Sequence, residues 1–122
     1  MAQYAVIDAI NTPPTAAQGD PVSIAVQVRN LADYGFYVSV AADVDGVAVS
    51  FTPDYAGVDP CAVSTFYGSF VMPGKSVTIT VTSWWWGSDN AWHQDDVKTA
   101  TVSLVALSPQ VSEFQIADFS RV

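Results

Sequence analysis

Between Val77 and Thr82 the chain alternates without a break. Val77, Ile79 and Val81 are apolar, and Thr78, Thr80 and Thr82 are polar. Successive side chains of a strand point to opposite faces, so this stretch is a strand with one face in a core and one in water. Continuing the alternation to Trp86 assigns Ser83 and Trp85 to the inner face and Trp84 and Trp86 to the outer one. Met72-Pro73-Gly74-Lys75 precedes it as a turn, and Gly87-Ser88-Asp89-Asn90-Ala91-Trp92 turns the chain back. A half-buried strand of this kind requires neighbours in a sheet and a second apolar layer against its inner face.

The rest of the chain repeats the habit. Tyr4 to Ile10 reads as a first strand, closed by Asn11-Thr12-Pro13-Pro14, and Ala16 to Pro21 reads as a turn. Val22, Ile24, Val26 and Val28 alternate with Ser23, Ala25, Gln27 and Arg29 in a second strand. The third places Phe36, Val38, Val40 and Ala42 inward and Tyr37, Ser39 and Ala41 outward. Asp45-Gly46 is a hairpin signal, so Val47 to Phe51 returns as the fourth. Thr52 to Val63, with Pro53, Gly57 and Pro60, is irregular and is expected to cross between sheets. Thr65 to Met72 is the fifth strand, with Phe66, Phe70 and Met72 inward and Gly68 marking a bulge or close packing. Val77 to Trp86 is the sixth. Val97 to Leu107 is the seventh, with Ala100, Val102 and Leu104 inward. Periodicity near 3.6 is absent. The prediction is an all-β chain: an immunoglobulin-like two-sheet antiparallel sandwich of about seven strands over residues 1–108, then a C-terminal arm over 109–122.

Composition narrows the partners. Half of the 122 residues are hydrophobic and 13% are charged, a globular balance. Four Lys and Arg against 12 Asp and Glu give a net charge of -8, which argues against nucleic acid and anionic membrane as partners. Cys61 is the single cysteine, so no internal disulfide forms, and it reads as a small loop residue. Met1 to Val6 has neither a basic region nor a long apolar run, so the expectation is folding in a cytoplasm; a chain whose leader had been removed would read the same way.

His93-Gln94-Asp95-Asp96, with Asp89 nearby, is the densest polar cluster. Its spacing matches neither a calcium loop nor a His-based zinc motif, so a solvated hairpin is expected, with no metal and no cofactor. Asp95 or Asp96 is expected to hold the hairpin's shape by bonding neighbouring groups. Ser88, His93 and Asp95 could be drawn as a nucleophile, base and orienter. No strained nucleophile turn accompanies them, so no catalytic residues are assigned and the chain is not expected to be an enzyme. Trp84, Trp86 and Trp92, with Tyr37, are candidate contact residues at one end of the outer face. Two readings stay open for them: a contact surface, or cross-strand rings that stiffen the hairpin. As a contact surface, a subunit interface is favoured over sugar stacking, because few polar groups converge there.

The tail carries an echo. Phe114-Gln115-Ile116-Ala117-Asp118 matches the pattern of Tyr4-Ala5-Val6-Ile7-Asp8, aromatic to aromatic and Asp to Asp. It is either a chance likeness in a tail packed on its own domain, or a strand given to a neighbouring subunit through Phe114, Ile116 and Phe119. Strand donation of that kind predicts a homo-oligomer or repeating assembly.

Three segments carry a family resemblance. Ile10-Asn11-Thr12-Pro13 with Val22 to Asn30 resembles the opening strands of CARDB-like immunoglobulin domains, where a proline-containing turn precedes a strand ending in Arg-Asn. Gly68 to Ile79, and Trp84-Trp85-Trp86-Gly87 with Trp92-His93-Gln94-Asp95-Asp96, resemble Ig-like modules of phage and of archaeal or bacterial surface proteins. The resemblance covers most of residues 4 to 107 and implies a structural role without catalytic residues. Such modules serve as capsid decoration or other virion parts, with a capsid or other virion protein as partner. They also serve as surface adhesion modules, where a glycan is the alternative partner, and the place is then extracellular or the cell surface.

Overall fold

The computed structural model describes residues 4–105. Ten strands follow one another: β1 (Ala5–Asn11), β2 (Thr15–Ala16), β3 (Pro21–Asn30), β4 (Phe36–Val44), β5 (Val47–Val49), β6 (Phe51–Thr52), β7 (Ala56–Val58), β8 (Val63–Val71), β9 (Val77–Trp86) and β10 (Trp92–Leu104). One sheet has the order β1-β3-β8-β6 and the other β2-β10-β9-β4-β5, with β7 also pairing β4. Neighbours are antiparallel except β2, which runs parallel to β10. This is the immunoglobulin arrangement of two packed sheets. The 109–122 arm lies outside the described residues.

The alternations fall where expected. Val22, Ile24, Val26 and Val28 of β3 face Val77, Ile79 and Val81 of β9 across the core, with Val38 of β4 and Val102 of β10. Each is at most 2% exposed, and each contributes about 1.5–3 kcal/mol by leaving water. Phe66 of β8 is the bulkiest of the fully buried side chains. The β4–β5 turn has Asp45 and Gly46 at φ 50° and 90°, the left-handed pair that a tight hairpin needs.

Three details differ from the expectation. The fourth strand is two strands: the chain leaves the larger sheet at Ser50, so β5 pairs β4 while β6 pairs β8. Thr52 to Val63 does cross between the sheets, as expected, but it crosses twice: from β6 to the larger sheet, where it pairs β4 as β7, and back to β8. Gly68 makes the switch fit, since a Cβ there would stand 3.0 Å from the Ser50 carbonyl and 3.1 Å from the Phe51 ring. Second, residues 15–16, expected in or beside a turn, add β2. Third, the last strand begins at Trp92 rather than Val97, with a register break between Gln94 and Val97.

That break has a purpose at the seam between the sheets. β1 is an edge strand, and its backbone is met by side chains of the opposite sheet. The Tyr4 and Ala5 N–H groups donate to Asp95 Oδ2 at 2.6 and 2.7 Å, and the Ile7 N–H donates to Asp96 Oδ2 at 2.8 Å. Buried Ser83 donates its hydroxyl to the Ala5 carbonyl at 2.6 Å and accepts the Asp96 N–H at 3.0 Å. Lys98 Nζ donates to the Ile7 carbonyl at 2.7 Å. A bulge lets neighbouring side chains break strict alternation, and here both carboxylates reach the same edge. Asp95 and Asp96 therefore bind a strand some ninety residues away in sequence. They do not form a solvated hairpin or merely hold its shape, and Asp96 is buried.

A second polar hub closes the same end. Asn30, fully buried, donates to the carbonyls of Tyr34 and Val58 at 2.8 and 2.9 Å and accepts the Ala32 N–H at 2.7 Å. It satisfies two backbone groups of the β3–β4 connection and one at the end of β7.

Candidate contact surface

The outer face of β9 carries Trp86 opposite Trp92 of β10, the register that the hairpin sets. Their rings meet edge to face, with centroids 5.2 Å apart at 70°. On the other side, Tyr37 of β4 lies across from Gly57 of β7. Ser39 donates to the Asp54 carbonyl at 2.7 Å and so anchors the segment leading into β7. That anchor delivers Tyr55, whose ring is 5.3 Å from Tyr37 at 87° and 6.4 Å from Trp92. Tyr37, Tyr55, Trp86 and Trp92 together wall a cleft of about 300 Å³. Tyr37 is 50% exposed, Tyr55 56% and Trp92 38%, so the rings do cover one another yet leave much of their surface in water.

Three of the contact residues expected from the sequence, Tyr37, Trp86 and Trp92, thus converge. Trp84 does not join them. It is half-buried one pair further along, between Ser39 and Gln94. Phe114, Ile116 and Phe119 lie outside the described residues. Tyr55 has no period-two neighbour in the sequence, and only the fold brings it to the cleft.

Trp85 faces inward, but at the end of the sandwich and half-buried. It stacks on His93 with centroids 4.5 Å apart at 24°, and meets Tyr4 at 4.5 Å and Phe36 at 6.2 Å. His93 Nε2 lies 2.9 Å from both carboxylate oxygens of Asp89. This hydrogen bond is the main reason the Asp89 carboxyl is held below its ordinary pKa. A Cβ on Gly87 would stand 2.5 Å from Asp89 Oδ1 and 2.8 Å from His93 Nε2, so a larger residue there would displace this exposed pair. The groups that could be drawn as a catalytic set are therefore engaged separately: His93 with Asp89, and Asp95 with β1. Among the described residues, no group of three or more His, Cys, Asp or Glu is placed to hold a metal ion. Among the same residues, no helix is long and apolar enough to cross a membrane.

No protein-family model matches the sequence. A comparison with curated proteins finds no match either. Solved structures do resemble the fold. A CARDB domain from Pyrococcus furiosus, solved in complex with di-metal ions, superposes with a TM-score of 0.64 at 16% identity, over 85% of this chain and 91% of that one. Native alpha-2-macroglobulin from Escherichia coli, from domain MG7 to the C-terminus, gives 0.65 at 21% identity over 86% of this chain and 17% of that one. A PapD-like domain of human CEP192 gives 0.53 at 9% identity over 84% and 89%. The likeness is one of fold: the chain is an Ig-like β-sandwich of the kind seen in CARDB domains.

Proposed function

We propose that the chain is a non-enzymatic sandwich module that docks another protein on the outer face of its larger sheet, within an assembly of many copies. The observation that carries this reading is the cleft of Tyr37, Tyr55, Trp86 and Trp92. Half-exposed tryptophan and tyrosine in a concave patch are the residues that dominate protein interfaces. The cleft is lined by four aromatic side chains with no carboxylate or imidazole among them, which suits docking better than turnover.

The finer setting we propose is the outside of a virus particle, as a capsid decoration or auxiliary protein folded in the host cytoplasm. That setting is supported by the resemblance to phage modules and by the net charge of -8, which disfavours nucleic acid. A carbohydrate-binding or adhesive surface module is the second reading. It is favoured by the exposure of Trp92, since sugar rings stack on exposed indoles.

Co-sedimentation of the full chain with particles of a virus whose genome encodes it tests the docking. Trp86→Ala combined with Trp92→Ala should weaken co-sedimentation at least about tenfold, a loss of about 1.4 kcal/mol or more. Unchanged co-sedimentation overturns the assignment of the cleft. Quenching of tryptophan fluorescence by a soluble glycan, abolished by the same substitutions, favours the second reading instead.

A further inference from the structure

The sandwich is open along the seam between β5 and β8. A groove of about 840 Å³ follows it, lined among others by Val44, Val49, Tyr67, Ser69, Phe70 and Val71. Val71 is 69% exposed, and β6 covers the edge of β8 at Tyr67 and Gly68 only. We propose that this groove receives, as an added strand, residues 110–119 of a second copy of the chain.

The shape of the groove points to a strand. Tyr67, Ser69 and Val71 belong to the outer face of β8, while Phe70 and Val44 belong to the core side. A groove lined from both faces straddles an edge, and a strand laid there sends alternate side chains to each side. The backbone agrees. The Met72 N–H bonds the Asp20 carbonyl at 2.9 Å, toward β3. Alternate residues direct their backbone groups to opposite neighbours, so Val71, beyond the chain segment of Ser50 and β6 that covers Tyr67 to Ser69, turns its groups to the open side. That is an edge ready for pairing.

The sequence supplies the occupant. Phe114-Gln115-Ile116-Ala117 alternates large apolar with smaller or polar residues, and the stretch from Phe114 to Asp118 matches Tyr4 to Asp8, part of which is paired as β1. The donor belongs to another copy because of where the chain leaves the fold. Ser103 and Leu104 pair with β2 at one edge of the larger sheet, and β5 forms the opposite edge, with β9 and β4 between. At the end between them stand the β4–β5 turn and the β8–β9 connection, which are joined by Lys75 and Asp45 at 3.7 Å. Exit on one edge and acceptor on the other give a head-to-tail contact that repeats from copy to copy.

This inference deepens the assembly reading above and rests on it for the presence of many copies. Sedimentation velocity over a range of concentrations tests it with full-length variants. Phe114→Asp with Ile116→Asp disables the donor. Val71→Pro removes a donor N–H from the open edge, where proline is tolerated because the β3 ladder is untouched. The parent should self-associate, and each variant alone should do so at least tenfold more weakly. Mixed, the two should form dimers and nothing larger, since one intact donor meets one intact groove. A parent that stays monomeric, a variant that associates like the parent, or a mixture no better than its parts overturns the proposal. The protein with Trp86→Ala and Trp92→Ala separates the two readings. It should self-associate as the parent does, and if it alone fails while donor and groove variants assemble normally, strand donation is wrong and the aromatic docking stands.

Discussion

The seam of β1 against β10 and the seam of β5 against β8 pose the same problem, an edge strand with backbone groups to satisfy. At the first, Asp95, Asp96, Ser83 and Lys98 reach across from the other sheet and take up the N–H and C=O groups of β1. At the second, β6 is two residues long and a groove remains. An edge closed by side chains is committed to its own molecule. An edge left bare keeps its pairing capacity for another strand. The module is thus closed by side chains on one side and bare on the other, the asymmetry on which the strand donation proposed above rests.

Proline substitutions should separate the seams most widely. Ile7→Pro removes the N–H that Asp96 accepts and disturbs a fully buried position. It should cost about 3 kcal/mol or more in chemical denaturation. Val71→Pro should stay within about 0.5 kcal/mol of the parent, as expected for a surface change away from such features. Equal losses at both sites would show that the β8 edge is not open.

Removing single clasps should come next. Asp96→Ala leaves the buried Ile7 N–H without its acceptor and should destabilise by about 2–3 kcal/mol. Asp95→Ala, whose bonds to Tyr4 and Ala5 are only partly buried, should cost about 1–2 kcal/mol. A reversed order in urea titrations would place the weight of the seam at Tyr4 rather than at Ile7.

The smallest effect belongs to the hairpin beyond the clasps. Asp89 has a folded pKa below its ordinary value of 3.8, chiefly through the hydrogen bond from His93. Its contribution is complete above the ordinary value and is lost as the pH falls through the lowered folded one. Asp89→Asn should therefore lie slightly below the parent in thermal midpoint at neutral pH. The gap should close in acid, below about pH 4. A gap that widens in acid would reverse the assignment.

Much of this was legible locally. Val22 to Val28 and Val77 to Ser83 announce their faces because a strand's period needs no distant information. Asp45-Gly46 announces its hairpin for the same reason. What escaped depends on partners far along the chain. Asp95 and Asp96 read as solvated carboxylates until β1 is seen against them. Tyr55 sits in an irregular segment and joins the cleft only because Ser39 holds Asp54. The change of sheets at Ser50 follows from the bare approach that Gly68 allows, and no alternation marks it.

The clasp on β1 also sets an order of events during synthesis. The first strand of the sandwich is held by residues 83, 95, 96 and 98, which belong to β9 and β10, the last of its described strands. At about 5–20 residues per second, the amino-terminal strand emerges several seconds before its locks exist. Over that interval β1 has β3 to pair with but none of its clasps, and the completed domain closes when its last two strands reach back to its first.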